Sequence, residues 1–123
     1  MMTGMITAHR EAALPIIVRG LHGQEEHVEA VIDTGFNGFM VLPNLLVATL
    51  GLPYHTHTMA TLADGTTVTL AIYKAPLVWH GYDRRVYVLT AEGGPLLGMA
   101  LLHGNRGTLD VVDGGRVTVE ALP

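Results

Sequence analysis

Between Tyr54 and Tyr73 the chain carries two runs of alternating residues, Tyr54 to Leu62 and Thr66 to Tyr73, on either side of Asp64-Gly65. Alternation at period two commits each run to a strand, and Asp-Gly between two such runs is a strong short-range hairpin signal. Val68, Leu70 and Ile72 fall on one face and Thr67, Thr69 and Ala71 on the other. The hairpin is therefore long and two-sided, and its polar side is read as the one with room to cover something. A chain built around such a unit belongs with the all-β folds.

The rest of the sequence agrees. Short apolar runs recur between Gly, Asp and Asn turn signals at roughly 8 to 12 residue intervals, the pattern of a compact sandwich or barrel. Leu14 to Arg19 reads as a strand, followed by a polar turn through Gly23. His27 to Asp33 alternates Val28, Ala30 and Ile32 against Glu29, Val31 and Asp33, so Asp33 ends a strand on its more polar face. Phe39 to Leu42 is a further strand. Pro43 then opens a helix that runs to Leu50 and stops at Gly51.

Ala75 to His80 and Arg84 to Thr90 form a second hairpin around Gly81 to Asp83, and Pro95 to His103 reads as a short helical segment ended by Gly104. The tail predicts a third hairpin, Thr108 to Val112 and Arg116 to Ala121. A faint repeat links the halves: a strand, Asp33-Thr34-Gly35 and a helix in the first, and Val86 to Thr90, Leu96-Leu97-Gly98 and a helix in the second. The period is not strict, which excludes a solenoid.

With 123 residues, 49% apolar and 15% charged, the chain fits one domain over 1–123 with a real core. Residues 1–10 read as an arm or a disordered start. Seven Lys and Arg stand against eleven acids and are scattered, so no nucleic-acid footprint is expected. Without cysteine there is no disulfide framework. No signal-peptide pattern opens the sequence and no apolar run is long enough to span a bilayer, giving the expectation of a soluble, cytoplasmic protein without a membrane partner. The low charge predicts that some apolar surface is covered by a partner.

The chemistry lies in Ala30-Val31-Ile32-Asp33-Thr34-Gly35, an apolar strand running into an acid held by Thr and Gly. On their own the last three residues also read as a capped turn, in which Asp and Thr bond nearby backbone and Gly supplies positive φ. Together with the hairpin at Asp64-Gly65, the Leu96-Leu97-Gly98 element and the helix Met99 to His103, taken in that order and spacing, the chain resembles a single-domain, retroviral-type (retropepsin-like) aspartic peptidase, of the kind also found as small bacterial proteins. The resemblance covers about Leu14 to Leu122.

It implies a closed, barrel-like acid-protease fold with one or two short helices, in a single lobe that dimerises. The implied activity is endopeptidase hydrolysis of a peptide or protein substrate, by water held between Asp33 and the partner copy's equivalent acid, with no cofactor or metal. Thr34 and Gly35 would hold the loop, Leu96, Leu97 and Gly98 would pack behind it, and the hairpin tip Leu62, Ala63, Asp64, Gly65 and Thr66 would form a flap over substrate. Terminal strands interleave in such dimers, and Met1 to Thr7 and Arg116 to Leu122 are the candidates. Phe36 stands where the family carries a small residue; it lines a pocket, obstructs one, or packs within the dimer.

Other constellations carry less. His55-Thr56-His57 puts two imidazoles on one strand face, but third and fourth ligands are not evident, so no metal is expected. Trp79 and the tyrosines at 54, 73, 82 and 87 lack interleaved basic residues and read as core and interface packing rather than a stacking surface. The competing function is a non-catalytic dimeric β domain of the same fold that binds peptide or protein.

Overall fold

A computed structural model describes residues 1–123. Ten strands and two helices follow in the order β1 (Met2–Ile6), β2 (Ala12–Arg19), β3 (Glu25–Ile32), β4 (Met40–Leu42), α1 (Asn44–Leu50), β5 (Tyr54–Thr61), β6 (Thr67–Trp79), β7 (Tyr82–Thr90), β8 (Leu96–Leu97), α2 (Met99–Leu102), β9 (Asn105–Leu109) and β10 (Arg116–Ala121). Strands make up 54% of the chain and helices 9%. The all-β expectation holds.

The sheet order is β5-β6-β7-β4-β8-β3-β2-β1-β10-β9, and a further pairing of β2 with β6 closes it. The pairs Ile17↔Val78 and Val18↔Leu77 make that closure, leaving a six-stranded barrel of β2, β3, β8, β4, β7 and β6. Closure removes the sheet edges that these strands would otherwise expose. Two extensions leave the barrel: the ribbon of β5 with the first half of β6, and a flank of β1, β10 and β9.

The faint repeat has a counterpart in the strand pairing. β3 runs parallel to β8 and β7 runs parallel to β4, while β4 and β8 pair antiparallel at the centre through Met40↔Leu97 and Val41↔Leu96. Each half thus sends its strand alongside the strand that leads into the other half's helix. Inside the barrel sit Leu14, Ile16 and Val18 of β2, Ala30 of β3, Met40 and Leu42 of β4, Leu77 and Trp79 of β6, and Val86 and Val88 of β7. These are alternate residues of their strands, as inward faces require. Leu50 of α1 and Leu101 of α2 are also fully buried.

Several sequence boundaries move. Thr66 to Tyr73 and Ala75 to His80 are one strand, β6, which continues past Pro76 because that residue needs no amide donor at its register position opposite Arg85. Its turn to β7 is His80-Gly81, both with positive φ (51° and 81°), the two-residue hairpin geometry that matches strand twist. The helical reading from Pro95 starts too early: Leu96 and Leu97 are drawn into the barrel as β8, and the helix begins at Met99. α1 has the predicted start and stop, with Gly51 in the left-handed conformation at φ 60°. The last hairpin begins three residues earlier, at Asn105, and its first strand ends at Leu109.

The two terminal strands do not stand free. β1 pairs with β10 of the same chain through Met2↔Val119 and Gly4↔Val117, and with β2 through Met5↔Ala13 and Ile6↔Ala12. The first residues are an internal strand rather than an arm. Gly4 makes that approach feasible, since a Cβ there would lie 1.9 Å from the Ala13 carbonyl oxygen. The open sheet edges are instead β5 and β9. No helix is long and apolar enough to cross a membrane.

Candidate active site

Asp33 follows directly on β3, whose end is fixed by parallel pairing of Ile32 with Leu97. The Asp33 amide donates to the Leu97 carbonyl at 2.9 Å, and the Phe36 amide donates back to the Asp33 carbonyl at 3.2 Å. The Gly35 amide donates to Asp33 Oδ1 at 2.9 Å. The carboxylate is thus half-buried, oriented by one backbone donor, with its other oxygen free to act on something else. Thr34 and Gly35 are exposed beside it. Gly35 does not have positive φ; a Cβ there would sit 3.2 Å from Asp33 Oδ1, so close approach to the carboxylate, not turn geometry, is what its small size serves.

The Leu96-Leu97-Gly98 element packs behind this loop. Leu97 is fully buried. The Gly98 amide donates to Phe39 O at 2.9 Å, the Met99 amide to Phe36 O at 2.8 Å, and the Ala100 amide to Gly38 O at 3.1 Å. The first amides of α2, which lack partners inside the helix, are therefore satisfied by the loop that carries Asp33. A Cβ on Gly98 would lie 2.1 Å from Gly38 O and 2.5 Å from Phe36 Cδ2. A Cβ on Gly38 would meet the Phe36 ring first, with Cζ at 2.5 Å. The Phe36 ring is seated between these two glycines.

The Phe36 ring lines a cavity of about 330 Å³ with Gly38, Phe39, Met40, His55, Thr56, Ile72, Tyr87 and Leu89. The walls are almost wholly apolar. Ile72 comes from the apolar face of the β5–β6 ribbon, so that face, not the polar one, turns toward the cavity. A second groove, of about 480 Å³, lies on the other side of the loop between Ile32, Thr34, Met99, Leu102, His103, Gly104, Asn105, Gly107 and Leu109. Neither contains an acidic side chain.

The expected flap residues lie away from both cavities. The ribbon root, through His55, Thr56 and Ile72, meets the cavity beside Phe36, whereas Leu62, Ala63, Asp64, Gly65 and Thr66 at the tip line neither cavity. The tip is a three-residue loop rather than a two-residue turn. Leu62 N donates to Thr66 O at 2.8 Å, Gly65 N to Leu62 O at 2.9 Å, and Gly65 adopts φ 86°, a type I turn followed by a left-handed residue. Asp64 Oδ1 accepts from Thr66 Oγ at 2.6 Å and from the Thr66 amide at 2.9 Å. Those two bonds, the hydroxyl first, hold the Asp64 carboxyl below the usual aspartate range.

His55 and His57 have different neighbours. A bulge between Tyr54 and Thr56 shifts the register there. His55 stacks on Tyr87 with centroids 5.0 Å apart, and His57 Nδ1 lies 3.3 Å from the Tyr54 hydroxyl. No cluster of three or more His, Cys, Asp or Glu side chains collects around them. Trp79 is buried in the core, while Tyr54, Tyr82 and Tyr87 are exposed.

Leu89 and Phe39 are cavity residues that sequence reasoning did not single out, and Tyr87, read from sequence as core or interface packing, is an exposed ring on the cavity wall. The alternation of β7, with Val86 and Val88 buried, puts Tyr87 and Leu89 on its outer face. The placement of His55 depends on the bulge, which has no such local signal. Comparison of the chain with protein-family models, with curated proteins and with solved structures finds no match to any of them.

Proposed function

We propose that the chain is a retroviral-type aspartic endopeptidase that acts as a homodimer, with Asp33 of each copy supplying one carboxylate. The observation that carries the reading is the Asp33 loop. A half-buried acid ends a barrel strand, has one oxygen bonded to the Gly35 amide, and is backed by Leu97, Gly98 and the start of α2 next to an apolar cavity. A purely local turn does not need that long-range scaffold.

The chemistry follows from pairing two such acids. Carboxylates about 3 Å apart cannot both ionise, so the pair shares a proton and its titration belongs to the dyad. The ionised member takes a proton from a water between them, the water oxygen attacks the peptide carbonyl carbon, and the protonated member donates to the carbonyl oxygen. Collapse of the resulting tetrahedral centre with proton delivery to the nitrogen releases amine and acid. Thr34 and Gly35 hold geometry. The cavity by Phe36 takes a substrate side chain, and an extended peptide lies along the ribbon with strand-like bonds.

The test is cleavage of a peptide library from acidic to neutral pH, run beside Asp33→Asn. Cleavage by the wild type alone is expected; no cleavage by the wild type at any pH overturns the reading. The Asp33–Gly35 bond is also what a capped turn makes, and it favours as second reading a peptide-binding domain of the same fold without catalysis. In that case the peptides bind, and still bind the Asn variant, uncut.

A further inference from the structure

Resting on the dimeric reading, we propose that two copies join along the open edge of β9, placing the twofold axis beside Gly107 rather than between interleaved termini. The termini are already occupied, since β1 lies between β2 and β10 of its own chain. β9 is bonded on one side only. The Asp110 amide donates to Arg116 O and the Leu122 amide to Gly104 O, which fixes the even-numbered positions as those bonded to β10. By the alternation of antiparallel ladders, the amides and carbonyls of Asn105, Gly107 and Leu109 point to the open side.

A strand that pairs antiparallel with its own copy over its whole length is centred on its middle residue, here Gly107. That register sets Asn105 opposite the copy's Leu109, Arg106 opposite Thr108, and Asp110 opposite Gly104. No like charges meet, and Arg106 is already held by Glu120 of its own chain at 3.7 Å. Exposed apolar side chains surround the seam: Met99, Leu109, Val111 and Val112 are 45%, 45%, 67% and 66% accessible. The groove between β9 and α2 also contains Thr34, the residue next to Asp33, so this edge lies beside the acid that needs a second copy. β5, the other open edge, belongs to the projecting ribbon and shares no cavity with Thr34.

The chain has no cysteine, so single cysteines report the seam cleanly. A directly opposed, hydrogen-bonded pair has Cα atoms about 5.5 Å apart, within disulfide range, and a Cβ at Gly107 meets nothing within 4 Å. Mild oxidation of Gly107→Cys is expected to give a disulfide dimer, while Thr58→Cys on β5 and Thr3→Cys on β1 remain uncrosslinked. In the otherwise native chain, Leu109→Lys is expected to weaken the dimer at least about tenfold in sedimentation, with the β circular-dichroism spectrum retained. A dimer in which Gly107→Cys does not crosslink, or in which either control does, overturns the seam and leaves the peptidase reading standing. A crosslinked dimer that cleaves nothing keeps the seam and removes the peptidase reading. A monomer at every concentration overturns both.

Discussion

The Asp33 loop and the tip of the β5–β6 ribbon are both turns closed by an aspartate, yet they are held in opposite ways. At Asp33 the bonds reach far along the chain, to Leu97, Gly98, Met99 and Ala100, and two glycines admit the Phe36 ring between them. At Asp64 every bond stays within Leu62 to Thr66. The first turn opens only if the barrel opens; the second can open alone. On the proposed peptidase reading, the fixed turn would supply the set geometry that chemistry needs and the independently yielding tip the movable part that substrate entry needs.

Four substitutions probe that contrast. Asp33→Asn keeps the shape of the turn and removes the titratable group; loss of peptide cleavage by about a thousandfold or more is expected, with sedimentation unchanged. Gly98→Ala forces a methyl against backbone that cannot yield and is expected to cost about 3 kcal/mol in urea unfolding, with activity falling as the loop shifts. If it costs nothing, the loop is not tied as described.

Phe36→Ala removes a half-buried ring from between two glycines and is expected to cost about 2 kcal/mol, roughly half of a full core deletion. It should also shift the preferred substrate side chain toward larger ones, read from the same peptide library. Asp64→Asn is expected to have the smallest effect, with global unfolding unchanged and faster amide exchange confined to residues 62–66. The pH dependence has a definite sign. Because the Thr66 bonds hold the folded pKa of Asp64 low, its contribution to the turn is present at neutral pH and is lost only as pH falls below the ordinary aspartate range. A Thr66 amide shift that titrates above that range would contradict the assignment.

Much of this was legible in the sequence, for physical reasons that differ by element. Alternation located β3, β6 and β10, because one face of each is more buried than the other, and the turn signal at Gly81 located β7; Pro43 and Gly51 bounded α1, because each has a local conformational role. The linkage of Asp33 to Leu96-Leu97-Gly98 was expected from the resemblance and has a physical counterpart in the Asp33–Leu97 and Gly98–Phe39 bonds. Barrel closure through Ile17 and Val18 onto Leu77 and Val78 was not legible, since nothing local distinguishes those apolar residues from others that pair elsewhere. The seat of Phe36 was hidden for a similar reason. It depends on Gly38 and Gly98 meeting in space, and neither glycine announces the other. The terminal strands were read as sheet formers and are, pairing with each other within the chain, with β1 also on β2 and β10 also on β9.

Mixing tests the central claim, that one site is made from two chains, most directly. Wild-type and Asp33→Asn chains are unfolded together in equal amounts, refolded, and assayed for peptide cleavage against total wild-type dimer at the same chain concentration. If each site needs Asp33 from both copies, only dimers of two wild-type chains work, and activity falls to about a quarter, following the square of the wild-type fraction. Activity of about half, falling linearly with that fraction, would mean that a single Asp33 suffices and would contradict the shared dyad.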